Sequence, residues 1–548
     1  MAYTKAPAVA TYSTERVDFT INPLHRSGTA LTKDARLINM MVEVFTTPDK
    51  ENTKVFVKSR PGLASVYQQT NGRARGLYYW VFNGVGSIIY VIGNKVYTNN
   101  TLMVTLSTTA GPVNFTEFVD DVQTTKLIML DGTNGYIWTD PVVAPTQITS
   151  ALETAWTLNT VTALGAKRRP TVDNTYVYTA TVAGTTAGAE PAWPTVVGTT
   201  VVDGTVTWVC DALAFPSPHI PMPVFLDGYL FVAKSGTQDI YNSDLNSPGT
   251  WTSTDYISAE MYPDKIVALS KNNNYIYAIG SSSIEYLYDN AAVGGSPLAR
   301  HDSAVQQFGA AAPATVVQTE KEVILVGETD NGGHTVWTID GFKEQEIGTP
   351  AIRSIFRAEG ANLASANAHC IRVSGQKLYI ITLTSMSLVY SFDTKMWYEW
   401  YSGSNNETNF VGSHAHDGPN GVPYILHYTA GTLMTISEDN HLDLTNPIVC
   451  QIITPKYDFG TYNRKMCSRL ALIGDVPTTS GTGNALTVSW SDNDYVTWST
   501  PRTISFDYDY PVIAQLGNFR RRAFRLTYNQ PYLLRLEAMD LDINKGSQ

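Results

Sequence analysis

The sequence predicts an all-β fold: a β-propeller with an inserted small β-module and a C-terminal β-sandwich-like domain. The first observation is composition, because 31 Tyr, 11 Trp and 40 Gly beside abundant Thr and Val favour strands and tight turns. The second is a recurring theme: a short β-rich run, a turn on Gly, Asn or Asp, then a second run ending in aromatics. Radial repetition of such short sheets protects strand edges that a flat sheet exposes, which favours a propeller over its competitor, two large packed sheets. The third is length. At 548 residues the chain has room for two or three domains, or one large repeat domain with additions.

In order along the chain, residues 1–75 hold few apolar runs and a turn at Arg60-Pro61-Gly62-Leu63, and read as an arm or a strand completing another element. Residues 76–150 carry the first hairpins, Ser87 to Tyr97 and Lys126 to Trp138, and read as the first propeller blades. Residues 151–212 break the rhythm and read as an inserted small β-module on a propeller loop, where insertions are tolerated. Its aromatics Trp156, Tyr176, Trp193 and Trp208 invite a glycan-contact reading by stacking on sugar rings. The favoured reading makes them the module's own core, since a small domain needs its large side chains inside. Residues 213–446 return to hairpins, at Val224 to Val232, Tyr275 to Gly280, Val323 to Gly327 and Lys377 to Ile381, and read as the remaining blades. Residues 447–548 change to longer alternating strands such as Leu486 to Trp490 and Ala523 to Tyr528, the sandwich-like domain.

The hydrophobic share of 43% suits a packed core, while 16% charged residues is low against the usual ~25% and leaves an uncharged polar surface. A net charge of -11 argues against tight wrapping of nucleic acid, which requires a Lys and Arg excess, but does not exclude a channel through which DNA slides without sticking. Cys210, Cys370, Cys450 and Cys467 are scattered without metal or disulfide spacing and read as reduced and structural. Met1 to Ala10 has no apolar stretch after Lys5, and no run approaches the ~20 residues of a membrane span, so synthesis and folding in a cytoplasm are expected.

Catalytic chemistry finds no motif: there is no nucleophile elbow, phosphate loop, zinc helix or dinucleotide fingerprint. His414, His416 and Asp417 are the tightest histidine cluster, but Gly418-Pro419-Asn420-Gly421 follows at once and places them in a solvated loop, without a third ligand. Carboxylates such as Asp255, Glu260 and Asp264 read as turn caps. Ser491 to Ser499 is similar to the Asp-box turn of sialidase-type propellers, keeping Ser491, Thr497 and Trp498 but placing Asn493 and Tyr495 at the Asp and Gly positions. Positive charge concentrates at Arg520, Arg521, Arg522 and Arg525; in a strand these alternate faces, which favours a subunit-interface or ion-pair role over DNA contact. No catalytic, cofactor or metal site is expected.

A family resemblance enters between Phe225 and Arg357. The order is Phe225-Leu226-Asp227-Gly228-Tyr229, Tyr241 to Leu245, Trp251, Ala259-Glu260, Pro263 to Leu269, Ser283-Ile284-Glu285, Phe308 to Pro313, Gly341-Phe342 and Ile347 to Ile352. This succession resembles the packaged-DNA stabilisation, or tail nozzle, proteins of short-tailed bacteriophages. Arg36 to Asn39, Arg60 to Leu63, Ser491 to Arg502 and Leu516 to Phe524 resemble them too. Thr349-Pro350 replaces the family's Thr-His at what reads as a strand start. The resemblance implies a virion tail protein with a homohexameric ring below the portal and the head-to-tail adaptor ring. It would neighbour tail fibres, spikes or needle, retain packaged double-stranded DNA and open for genome ejection. An enzyme would instead be a tail glycan depolymerase with clustered carboxylates, and an adhesin would bind glycans through the module.

Overall fold

A computed structural model describes residues 12–19, 35–46, 53–149, 153–172, 174, 176–212, 215–292, 294–328, 333–475, 484–506 and 511–546. Two compact units divide the chain: Asn71–Glu346 with Thr429–Gly431 forms one, and the segments before, between and after form the other.

The first unit is built from five four-stranded antiparallel sheets in sequence order, here blades I to V. Blade I comprises Ala74–Phe82, Val85–Ile92, Lys95–Thr98 and Thr101–Thr105, and blade II Asn114–Val119, Thr125–Leu130, Gly135–Trp138 and Thr146–Gln147. Blade III runs Val224–Leu226, Tyr229–Ala233, Asp239–Asp244 and Ser247–Ser258. Blade IV runs Ile266–Asn272, Tyr275–Gly280, Ile284–Asp289 and Leu298–Gln306, and blade V Val317–Gln318, Val323–Glu328, His334–Asp340 and Lys343–Glu346. Two-residue turns with positive φ at both positions, Asn83-Gly84 (50°, 78°) and Asp227-Gly228 (47°, 84°), match the twist of the flanking strands. Consecutive blades pack face to face. Ile89 and Val91 share one core with Leu127 and Met129, Ile128 with Leu230 and Val232, Phe231 with Ile276 and Leu287, and Tyr277 and Ile279 with Val323 and Leu325. Each such side chain contributes roughly 1.5–3 kcal/mol by leaving water, so the stack of interfaces holds the unit together. The all-β propeller expectation is met.

Between blades II and III lies the inserted module, a sheet of Lys167–Arg168, Tyr176–Val182, Val206–Ala212 and Thr200–Asp203 with its own core of Trp156, Tyr178, Ala180, Val206, Trp208 and Cys210. Lys167 fastens it to blade III, its Nζ donating to the Trp251 carbonyl at 2.7 Å and to Thr252 Oγ1 at 2.6 Å.

The second unit contains two further meanders of the same kind. Asn367–Val373, Gln376–Thr382, Ser387–Ser391 and Met396–Ser402 form one, and Gly412–His416, Tyr424–His427 and Thr432–Ser437 the other. The latter is completed by Gly62–Gln68, in antiparallel register from Thr432↔Gln68 to Ser437↔Gly62. Strands of the C-terminal hundred residues do not stand apart. Cys450–Ile453, Ala485–Ser491, Arg502–Ser505 and Ala523–Tyr528 continue the sheet of Asn367–Ser402 through Arg36–Ile38. Lys465–Asp475, Val512–Phe519 and Arg535–Lys545 form a sheet with Tyr12–Asp18, Met40–Thr46 and Thr53–Ser59. One core, including Met40, Leu63, Ile380, Tyr398, Met434, Leu526 and Leu541, spans all three sheets.

Two local expectations are corrected. A helix, α1 (Pro350–Glu359), occupies the place read as a strand start: Thr349 Oγ1 accepts from the Ile352 N–H and Pro350 supplies a pre-set first helical position. His414 and His416 lie in a strand, Gly412–His416, because that segment pairs with Tyr424–His427, the Gly418 to Gly421 signals serving only the turn between them.

Candidate functional site: an arginine corner

The four arginines are brought together at a corner of the second unit. Arg520 to Arg522 do not lie in a strand, as the sequence suggests. They form the link between Val512–Phe519 and Ala523–Tyr528, which belong to different sheets, so the backbone must turn there. The corner therefore sorts its arginines by burial rather than by strand alternation.

Arg522 is 1% exposed and forks onto Asp492 at 2.7 and 2.9 Å, with Nη1 donating to the Leu516 carbonyl and its plane over Phe519 and Trp490. Such planar two-point pairing is what Arg, not Lys, provides. Arg525 stacks over Trp498 at 4.5 Å, and burial, then nearby Arg36, lowers its pKa. Arg521 reaches Asp494 at 3.7 Å. Arg520 is exposed, donates to the Tyr462 carbonyl at 2.9 Å, and has no carboxylate within ion-pair distance among the described residues. Arg520 and Arg521 both lie over the ring of exposed Tyr462, at 5.6 and 5.8 Å.

The partners of these arginines sit on the Asp-box-like turn. Asn493 Oδ1 accepts from the Thr497 N–H at 3.0 Å and from Ser491 Oγ at 3.1 Å, and Ser491 Oγ accepts from the Tyr495 N–H at 3.0 Å. Asn493 thus does the bonding expected of Asp, while Tyr495 adopts φ 67° at the position a Gly would occupy. Its hydroxyl donates to the Thr454 carbonyl at 3.1 Å, holding that strained turn in place. Lys456 adds an ion pair to Asp494 at 2.6 Å. Sequence reasoning missed Tyr462 and Lys456, whose partners are distant in the chain.

In the module, Trp156 and Trp208 point inward and both donate their indole N–H to Asp203 Oδ2, at 2.7 and 2.9 Å. Trp193 is half-buried against Tyr178, ring centres 4.2 Å apart, and donates to Glu190; Tyr176 is half-buried at the core's edge. Elsewhere, Asp264 accepts from the Ser282 and Ser283 N–H groups and so caps a turn. The four cysteines are free, and burial pushes the Cys450 and Cys467 thiols up to about 12 and about 11, away from nucleophilic thiolates. His414 bonds Ser413 Oγ, His416 the Asp417 carbonyl, and Asp417 accepts from the Arg372 N–H. Among the described residues no group of three or more His, Cys, Asp or Glu could hold a metal ion, and no helix is long and apolar enough to cross a membrane.

No curated protein matches the chain significantly. Among solved structures, the N-terminal domain of Nup159 is 9% identical, with 72% of this chain and 98% of that one covered and a TM-score of 0.35. The extracellular domain of a one-component system, BT4673 of B. thetaiotaomicron, is 8% identical, with 90% and 80% covered and a TM-score of 0.25. A family model described as bacteriophage P22 Gp10, beta-propeller, matches residues 28–418, which is most of the chain, including every blade of the first unit. The chain belongs to that family of phage propeller proteins.

Proposed function

We propose that this chain is a virion structural protein, the tail nozzle of a short-tailed phage, and not an enzyme. It assembles as a ring, a hexamer, distal to the head-to-tail adaptor ring and beside fibres, spikes or needle. The ring retains the packaged DNA and opens for ejection. The observation that carries this reading is family membership across residues 28–418. The charge pattern supports it. The first unit has 13 Lys and Arg against 26 Asp and Glu, while the remainder has 25 against 23, so a DNA-facing surface drawn from the first unit repels phosphate rather than gripping it.

On this reading the blades of 76–150 and 213–446 build the wall, 151–212 is an accessory module and 447–548 helps close the second unit. The glycan-binding alternative has less behind it, because Trp156 and Trp208 are spent on the module's core. Negative-stain images of the purified protein and of virion tails test the proposal. Six-fold rings are expected; a stable monomer that never enters virions refutes it.

A further inference from the structure

We infer that the outer part of the arginine corner, exposed Arg520 and Tyr462 with half-buried Arg521 beside them, is the surface through which one copy holds the acidic turns of the first unit of a second copy. The inference rests on the ring reading above and adds to it the two surfaces that meet.

The receiving surface is cationic; Arg521 in it reaches Asp494, and Arg520 has no ion-pair partner among the described residues. Arg522 and Arg525 are committed internally, but Arg520 is exposed, uses one donor on the Tyr462 carbonyl and keeps the rest of its fork for solvent. Exposed Arg464 adjoins it, since Lys465 pairs with Phe519 in the sheet register, and Lys545 lies across the same strand end. Arg520 and Lys545 both lower the pKa of Lys465, burial being the larger cause and Asp458 opposing them; Lys545 is already paired with Glu15 at 2.8 Å, so Arg520 and Arg464 are the cations that this end of the sheet offers an incoming carboxylate. Tyr462, with the guanidinium groups of Arg520 and Arg521 both over its ring, gives the corner the Tyr and Arg character of interface anchors.

The donating surface follows from topology. In a sequential four-stranded antiparallel sheet the first and third turns share one end, and the chain leaves for the next sheet from the opposite end. Asp121, Asp227, Asp244, Asp289, Glu320 and Asp340 all stand at or beside first or third turns; Lys321 and Lys343 stand there too, and Asp131, Asp239 and Glu328 stand at the second turns, so blades II to V carry acids at both ends, with the larger excess at the first- and third-turn end. Two such ends repel each other, which disfavours a two-fold contact of like with like. An acidic end against a cationic corner is a heterologous contact, the kind that closes into a ring.

The test compares the full-length wild-type chain, Arg520→Glu/Arg521→Glu, and that variant further carrying Asp244→Lys/Asp340→Lys, by sedimentation and negative stain at low and high salt. The inference expects wild-type rings that weaken with salt, at least tenfold weaker assembly in the arginine variant, and recovery in the charge-swapped one. Undiminished rings in the arginine variant overturn the inference and leave the ring reading intact, as does a loss that the swap does not recover. A wild-type chain monomeric at every salt concentration and absent from tails overturns both.

Discussion

Arg60 is fully buried and makes every contact a guanidinium can in that place: Nε to Asn39 at 3.0 Å, Nη1 to Asp443 at 2.9 Å and to the Pro61 carbonyl, and Nη2 to Asp443 and the Tyr401 carbonyl, with Trp400 and Phe410 on its faces. Removing one partner leaves a buried charge, so Asp443→Ala is expected to lower stability by about 3–5 kcal/mol, read by chemical denaturation. His369 is a second residue with a calculable consequence. Burial first, then the neighbouring His414, pushes its pKa down to about 3. The unfolded chain takes up that proton near pH 6.5, so stability is full above this pH and is lost as pH falls toward 3. Between pH 6 and 4 the loss from this residue is about 2.5 kcal/mol, and His369→Leu should flatten the wild-type decline in melting temperature by that share. Neither residue announces itself in the sequence. Arg60 stands in a turn motif and His369 in an ordinary alternating strand, and it is partners far along the chain, Asp443 for Arg60 and His414 for His369, that give them meaning.

At the scale of elements, the hairpins were legible because each is local: Tyr275 to Gly280 or Val323 to Gly327 needs only its own apolar run and the turn beside it. α1 was not, because its Thr349 cap and Pro350 start were masked by a strand-rich neighbourhood. The arginines were found by charge alone, but their division into buried Arg522 and exposed Arg520 depends on the corner between two sheets, which no spacing rule encodes. The module depends on one carboxylate. Asp203 accepts both indole N–H groups and the Ala187 N–H, so Asp203→Ala strands three donors. The expected outcome is protease cleavage within 153–212 and a tryptophan fluorescence shift, with the five blades still folded by far-UV dichroism.

For the whole molecule, the N-terminal segment is structural rather than appended. Gly62–Gln68 completes the sheet of Thr432–Ser437, and Met40–Thr46 and Thr53–Ser59 pair into the sheet of Arg535–Lys545. A chain starting at residue 71 should therefore be insoluble or open to proteolysis throughout the second unit, while the blades I to V region stays resistant; full resistance would refute the closure role. This long-range pairing is also why domain limits were the least legible feature. Composition shifts near 75 and 447 mark changes of pattern, whereas the packing pairs Tyr12–Asp18 with Arg535–Lys545.

That closure sets a clock on synthesis. Gln68 leaves the ribosome some 370 residues before its partners in Thr432–Ser437 exist, an interval of roughly 20–70 s at ~5–20 residues per second. For that time the segment Gly62–Gln68 has no partner in its own chain, while any copy whose synthesis has passed Ser437 offers the same edge. Yield in an infected cell is then governed by how quickly one ribosome finishes as much as by the stability of what it makes.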